Sequence, residues 1–262
     1  MQLVAASKLR RAQEATLHSR PYAASASEAL RKLRQLTTPQ DHPLFATRHG
    51  NRRLVVLFSS DRGLAGSYNT NLFKALFQLS ASGGALSVIV IGQKGAQFVS
   101  KIKANLNVLG VYEQWPAQPS LDDTLPIART IMAEFEANRC DEVVLLYTDF
   151  VSLLQQTIRT RRLLPVAAPN LNDSATPPDA LFEPTPRELL AYIVPRFIEV
   201  QIYQASLEAA ASEQAMRMIA MQNASDNAKD LTADLTLTYN SARQSAITQE
   251  LAEIISGAEA MA

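Results

Sequence analysis

All nine glycines of this 262-residue chain lie at positions 50, 63, 66, 83, 84, 92, 95, 110 and 257, so residues 111–256 contain none. Glycine weakens a helix interior by about 1 kcal/mol relative to alanine, and its absence over so long a stretch favours a long uninterrupted helix. A start signal stands at Thr185-Pro186-Arg187-Glu188. Thr185 suits the N-cap, Pro186 the first helical position and Glu188 the third residue of a capping box. Beyond it the only breaker before Gly257 is Pro195, which kinks a helix without having to end it. A helix over 186–256 is about 105 Å long at roughly 1.5 Å per residue, against a radius of gyration of about 18 Å for a compact chain of this size. Such a helix must reach beyond a globular body.

A helix of that length leaves an apolar stripe in water unless a partner covers it, here Leu207, Ala211, Met218, Leu231, Leu235, Ala242, Ile247 and Leu251. Residues 1–36 supply a candidate partner. They have high helix propensity, a stripe including Leu3, Leu9, Leu17, Leu30 and Leu33, and Pro21 as their one breaker. They hold seven Lys or Arg against Glu14 and Glu28, a net +5, whereas residues 185–262 hold five basic and ten acidic residues, a net −5. Two such segments attract, and an antiparallel coiled coil of the two ends is expected. Its C-terminal strand is rich in Ala, Ser and Thr, so part of its length needs contacts from outside the chain.

Between the ends, short β-rich runs alternate with helical stretches: 54–59 then 70–80, 87–91 then 94–104, and 121–138 then 142–148. This alternation predicts a parallel α/β layer. The segment from Leu164 to Phe182, with Pro165, Pro169, Pro177 and Pro178, reads as an extended connection to the long helix. The fold class is therefore α/β: a coiled coil of the terminal helices and a central Rossmann-like domain. The expected division is 1–50, 51–184 and 185–262.

Apolar runs such as 54–58 fall far short of the roughly 18 residues of a membrane-spanning helix, so membrane association must be indirect. The N-terminus reaches its basic cluster without an apolar region of the kind a secretory signal needs. A single cysteine, Cys140, excludes an intramolecular disulfide and reads as a small buried residue. A formal net charge of zero gives no support for a nucleic-acid binder.

Ser59 to Asn69 follows a strand and precedes a helix, where α/β proteins place phosphate loops. Gly63 and Gly66 form only G-x-x-G, without the ending of a Walker motif, and a tight structural turn is expected there. Gly92-Gln93-Lys94-Gly95 is read in the same way. His18, His42 and His49 lack metal-ligand spacing and read as solvated side chains, and Asp122-Asp123 and Asp141-Glu142 as acids flanking helices. No catalytic residue, cofactor site or metal site is expected.

Several long segments carry a resemblance. Val4-Ala5-Ala6-Ser7-Lys8-Leu9-Arg10-Arg11, Ala209-Ala210-Ala211-Ser212-Glu213-Gln214-Ala215-Met216-Arg217-Met218 and Leu237 to Leu251 resemble the terminal helices of the gamma subunit of F-type ATP synthases. Ser60-Asp61-Arg62-Gly63-Leu64-Ala65-Gly66 is similar to the signature turn of that family's central domain. The resemblance spans Met1 to Ala262.

It implies a non-catalytic central stalk that transmits rotation between a membrane ring of proton-carrying subunits and a hexamer of alpha and beta subunits, with epsilon at its foot. It places Arg243, Gln244 and Thr248 against a catch loop of one catalytic subunit, and Met1, Lys8 and Arg11 against acidic lever segments. Phe182 and Glu183 match positions approaching the membrane ring. The implied location, for a bacterial source, is peripheral, on the cytoplasmic side of the inner membrane. The paired-cysteine insertion of the chloroplast form is missing, and no thiol switch is expected. Family members usually carry about twenty more residues before the position of Met1, which reads as a late start or a truncation that leaves the upper C-terminal helix short of its partner. Two other readings are a nucleotide-binding α/β enzyme with dimerisation helices and a coiled-coil scaffold for another assembly.

Overall fold

The computed structural model describes residues 1–35, 42–48, 50–81, 83–102, 106–166 and 185–260. The chain divides into two compact units, 1–218 and 219–262. The element order is α1 (Gln2–Gln35), a 3-10 turn (Pro43–Phe45), β1 (Arg53–Phe58), α2 (Tyr68–Ala81), β2 (Leu86–Ile91), α3 (Gln93–Lys101), β3 (Leu106–Tyr112), α4 (Leu121–Glu136), β4 (Glu142–Phe150), β5 (Gln156–Leu164) and α5 (Pro186–Ala260).

The sheet of the first unit has the order β3-β2-β1-β4-β5. β1 pairs in parallel with β2 on one side and β4 on the other, β2 pairs in parallel with β3, and β5 closes the far edge antiparallel to β4. The expected parallel layer is thus present with one antiparallel edge. Alternation along β1 divides the apolar residues between two cores. Leu54, Val56 and Phe58 face a core shared with α4, the end of α1 and the first turns of α5. Val55 and Leu57 face Tyr68, Leu72 and Leu76 of α2 and Val99 of α3.

α4 begins with a full capping box: Ser120 Oγ accepts from Asp123 N, and the Asp123 carboxylate accepts from Ser120 N at 2.7 Å. Its far end is held by Arg48, whose Nη1 donates to Phe135 O at 2.6 Å and Cys140 O at 2.7 Å while the guanidinium lies 4.0 Å above the Phe135 ring. Asp141 and Glu142, expected beside a helix, instead open β4 and tie it to β1. Arg52 grips Asp141 with Nε at 3.0 Å and Nη2 at 2.7 Å, and Arg53 Nε meets Glu142 at 2.8 Å.

α1 runs through Pro21 and α5 through Pro195 without ending. Of the capping box expected at the start of α5, one bond is present, Glu188 N donating to Thr185 Oγ1 at 3.5 Å. Within the first unit the two helices are antiparallel, since Ser27 meets Gln201, Ser19 meets Gln204 and Arg20 meets Glu208. The buried stripe of α1 is Ala5, Leu9, Ala12, Thr16, Ala23, Leu30 and Leu33. Leu3 and Leu17, expected in that stripe, are exposed, because small Ala and Thr residues form the close seam. In the second unit Leu231, Leu235, Ile247 and Leu251 all face solvent.

Cys140 is buried, and burial pushes its thiol up to about 11. His42 is half-buried rather than solvated: it caps the 3-10 turn by accepting from Leu44 N, and burial lowers its pKa. His49 and most of the connection from Leu164 to Phe182 lie outside the described residues.

Candidate functional site

Two polar clusters on the first unit link the sheet to its two long helices. The first is a cleft of about 510 Å³ beyond the C-terminal ends of β1 and β2, the place where α/β sheets hold ligands. Its walls include Lys8 of α1, Asp61, Gln93, Trp115, and Glu213 and Arg217 of α5.

The backbone amides at the start of α3 are already taken up by the loop after β1, through two side chains and one carbonyl. Asp61 Oδ1 accepts from Gln93 N, at the start of α3, at 2.9 Å and from Gln114 N at 3.1 Å. Ser60 O accepts from Lys94 N at 3.0 Å, and Ser59 Oγ accepts from Gly95 N at 2.9 Å. The orphan amides that would hold an anion are thereby satisfied. Glycine is needed at Gly92 and Gly95, where an added Cβ would collide with the Ser59 carbonyl and hydroxyl, and Gly92 also has a φ of 95°. Asn69 closes the loop by accepting from Ser60 N at 3.1 Å. The turn expected at Gly63 and Gly66 is present, with Gly66 at a φ of 56°.

This loop grips α5. Arg217 Nη2 donates to Arg62 O at 3.2 Å and also forms an ion pair with Glu213 at 2.7 Å. Burial pushes the Glu213 carboxyl up, and Arg217 opposes the shift. Trp115 Nε1 adds a second tie, donating to Ser206 Oγ at 3.0 Å.

The second cluster lies where α1, α5 and the end of β4 meet. Asp149 pairs with Arg159 of β5 at 2.6 Å, and Arg20 of α1 reaches Glu208 of α5 at 3.6 Å and Asp149 at 4.0 Å. Gln204 Nε2 donates to Glu208 at 2.7 Å, and Ser212 Oγ donates to Thr148 O at 2.9 Å. Burial pushes Glu208 up; the Gln204 bond and Arg20 oppose this, and the negative charge of the nearby Asp149 adds to it.

The residues singled out from sequence fall into three groups. Met1, just before α1, and Lys8 and Arg11 on it are exposed, within the first unit, and Lys8 also borders the cleft. Arg243, Gln244 and Thr248 lie on α5 in the second unit, all exposed, with Thr248 Oγ1 donating to Gln244 O at 2.9 Å. Phe182 and Glu183 lie outside the described residues. Sequence reasoning missed the clamps made by Asp61, Glu213 and Arg217 and by Arg20, Asp149 and Glu208. A charged residue inside a long Ala-rich run, such as Glu208 or Arg217, is the signal that could have pointed to them.

A family model described as ATP synthase matches residues 1–261. The ATP synthase gamma chain of Herpetosiphon aurantiacus is 42% identical over 275 residues, covering 100% of this chain and 92% of that protein. The chain belongs to the ATP synthase gamma chain family. The gamma chain of Geotalea daltonii is 40% identical, again over 100% of this chain and 91% of that one. The fold is shared with chains of solved mitochondrial ATP synthase assemblies. A chain from the central stalk and c-ring of the Tetrahymena thermophila mitochondrial ATP synthase superposes with a TM-score of 0.67 at 24% identity, over 86% of this chain and 97% of that chain. A chain of the Euglena gracilis mitochondrial ATP synthase, from its OSCP, F1 and c-ring assembly, gives 0.62 at 18% identity, over 99% and 94%. Among the described residues no helix is long and apolar enough to cross a membrane.

Proposed function

We propose that this gamma-family chain is the non-catalytic central stalk of an F-type ATP synthase. It turns with a membrane ring of proton-carrying subunits and drives a hexamer of alpha and beta subunits through its conformations in sequence. Residues 51–184 serve as the foot, against the ring and epsilon, and 1–50 and 185–262 as the shaft. Phe182 and Glu183 approach the ring, Met1, Lys8 and Arg11 face acidic segments of the catalytic subunits, and Arg243, Gln244 and Thr248 engage their catch loop. The protein works at the inner face of a bacterial plasma membrane, attached through its partners.

The observation that carries this reading is the double clamp of α5 to the sheet, by Arg217 on the Arg62 carbonyl and by the Arg20, Asp149 and Glu208 cluster. A part that transmits torque needs its helix fixed to its body by directional bonds, because apolar packing alone resists sliding weakly. The Asp61 carboxylate at the amino end of α3 argues against the nucleotide-binding alternative. The test is reconstitution with separately purified alpha and beta subunits: an assembled complex whose ATP hydrolysis is stimulated by this chain is expected. Failure both to assemble and to stimulate overturns the proposal, as does saturable nucleotide binding by the isolated chain.

A further inference from the structure

Gln201 of α5 is 1% exposed, and among the described residues its Oε1 has no hydrogen-bond partner. Ser27 of α1 fixes which way the amide lies. The Ser27 hydroxyl gives its proton to Ala23 O at 2.8 Å, so toward Gln201 it can only accept, and it accepts from Nε2 at 3.3 Å. The amide oxygen is left as a buried acceptor that calls for a donor, and leaving such a group unmet is costly.

Gln201 lines a cavity of about 480 Å³ between α1, α5 and the paired strands β4 and β5, a volume in the range of small-molecule sites. Glu208, also buried, lines it too, two turns further along the same face of α5. Gln204 Nε2 gives Glu208 one bond at 2.7 Å, but Arg20 stands 3.6 Å away with its Nη2 spent on Phe150 O at 3.0 Å. Asp149, by contrast, is held by Arg159 at 2.6 Å. The buried part of the cavity thus combines an open acceptor with an incompletely paired carboxylate, which suits a cationic donor. The exposed part carries the opposite sign. Arg20 and Arg159 have side chains 43% and 61% exposed, and Arg161 is exposed and forms no ion pair among the described residues. Three guanidinium groups repel a simple amine, whereas a cation tethered to an anion suits both parts.

We propose that this cavity binds a small zwitterion of the amino-acid class, its ammonium group donating to Gln201 Oε1 and Glu208 and its carboxylate meeting Arg161 at the rim. An ammonium group has three donors, enough for both acceptors, and a carboxylate matches the fork of a guanidinium. The occupant touches α1, α5 and the sheet together and so fastens the joint between them. The site goes beyond the mechanical role proposed above and does not rest on it.

Calorimetric titration of the full chain with β-alanine, γ-aminobutyrate and ε-aminocaproate is the test, with butylamine and butyrate as single-charge controls. Saturable binding of at least one zwitterion with a Kd of about 1 mM or less is expected, with both controls at least about tenfold weaker. Arg161→Met, at an exposed position, and Gln201→Leu should each weaken that zwitterion about tenfold. In the wild-type chain the side-chain amide resonance of Gln201 should move along the same titration, which keeps the result readable if Gln201→Leu does not fold. Absence of saturable binding by all three zwitterions, controls that bind as tightly, an unmoved Gln201 resonance or an affinity untouched by Arg161→Met overturns the proposal.

Discussion

Asp61 holds the Gln93 backbone N–H at 2.9 Å, so a side chain of one loop caps a helix that begins after the neighbouring strand. Loss of such a cap costs about 1–2 kcal/mol. Asp61→Ala is therefore expected to lower the unfolding free energy read from urea titration by that amount and to bare an anion site on α3. Sulfate should then restore the variant more than it stabilises wild type. An equal salt response in both would show that the amides of α3 do not define the site.

Glu213 and Arg217 form a largely buried ion pair on α5. Removing one partner of such a pair costs about 3 kcal/mol, since the other is left buried and uncompensated. Arg217→Met should be destabilised by about that much and Arg217→Met with Glu213→Gln by clearly less. The sign in pH also follows. With Glu213 raised by burial and no longer opposed by Arg217, the single variant should weaken further relative to wild type as pH rises through the folded value. Additive losses in the double variant would refute the pairing.

Arg48 spans the end of α4 and the start of β4 with two bonds to carbonyl oxygens and its plane over Phe135. A hydrogen bond from a charged group is worth about 1.5–3 kcal/mol. Arg48→Met should lose about 2–3 kcal/mol on that scale, and Arg48→Lys should recover only part, because a point charge cannot serve two carbonyls and a ring at once. Denaturant titration of the three proteins distinguishes this from a simple charge effect.

Arg243, Gln244 and Thr248 are exposed and carry little of the fold. Alanine at each is expected to change chain stability by less than about 0.5 kcal/mol. If they grip a catalytic subunit, each change costs about 1–2 kcal/mol there, about tenfold in coupled ATP hydrolysis by the reconstituted complex. Full activity in all three variants would remove them from the interface.

What the residues announced, and what they concealed, divides by burial. β1, β2 and β4 were legible because both their faces are covered, which makes continuous apolar runs, and the long α5 because nothing in 111–256 interrupts it. β3 and β5 were not read, since edge strands have one uncovered side: β5 is Gln-Thr-Ile-Arg-Thr-Arg-Arg before its two closing leucines. The Arg52 to Asp141 and Arg53 to Glu142 ties were hidden for another reason. Their partners stand 89 residues apart, and only the parallel register of β1 with β4 brings them level. The clamps on α5 leave a fainter trace, since Glu208 and Arg217 stand as charges within an Ala-rich run while their partners on the sheet are far away in sequence.

Among the described residues no strand pairs with the outer edge of β5, and this has a further consequence. An open strand edge offers unpaired amides and carbonyls to any other strand, and proteins guard such edges with charge. Arg159, Arg161 and Arg162 stand exposed on this one. While the chain waits, freshly made, for the large assembly in which it is used, that row of guanidinium groups repels the same edge of a second copy and keeps the sheet from growing into an aggregate.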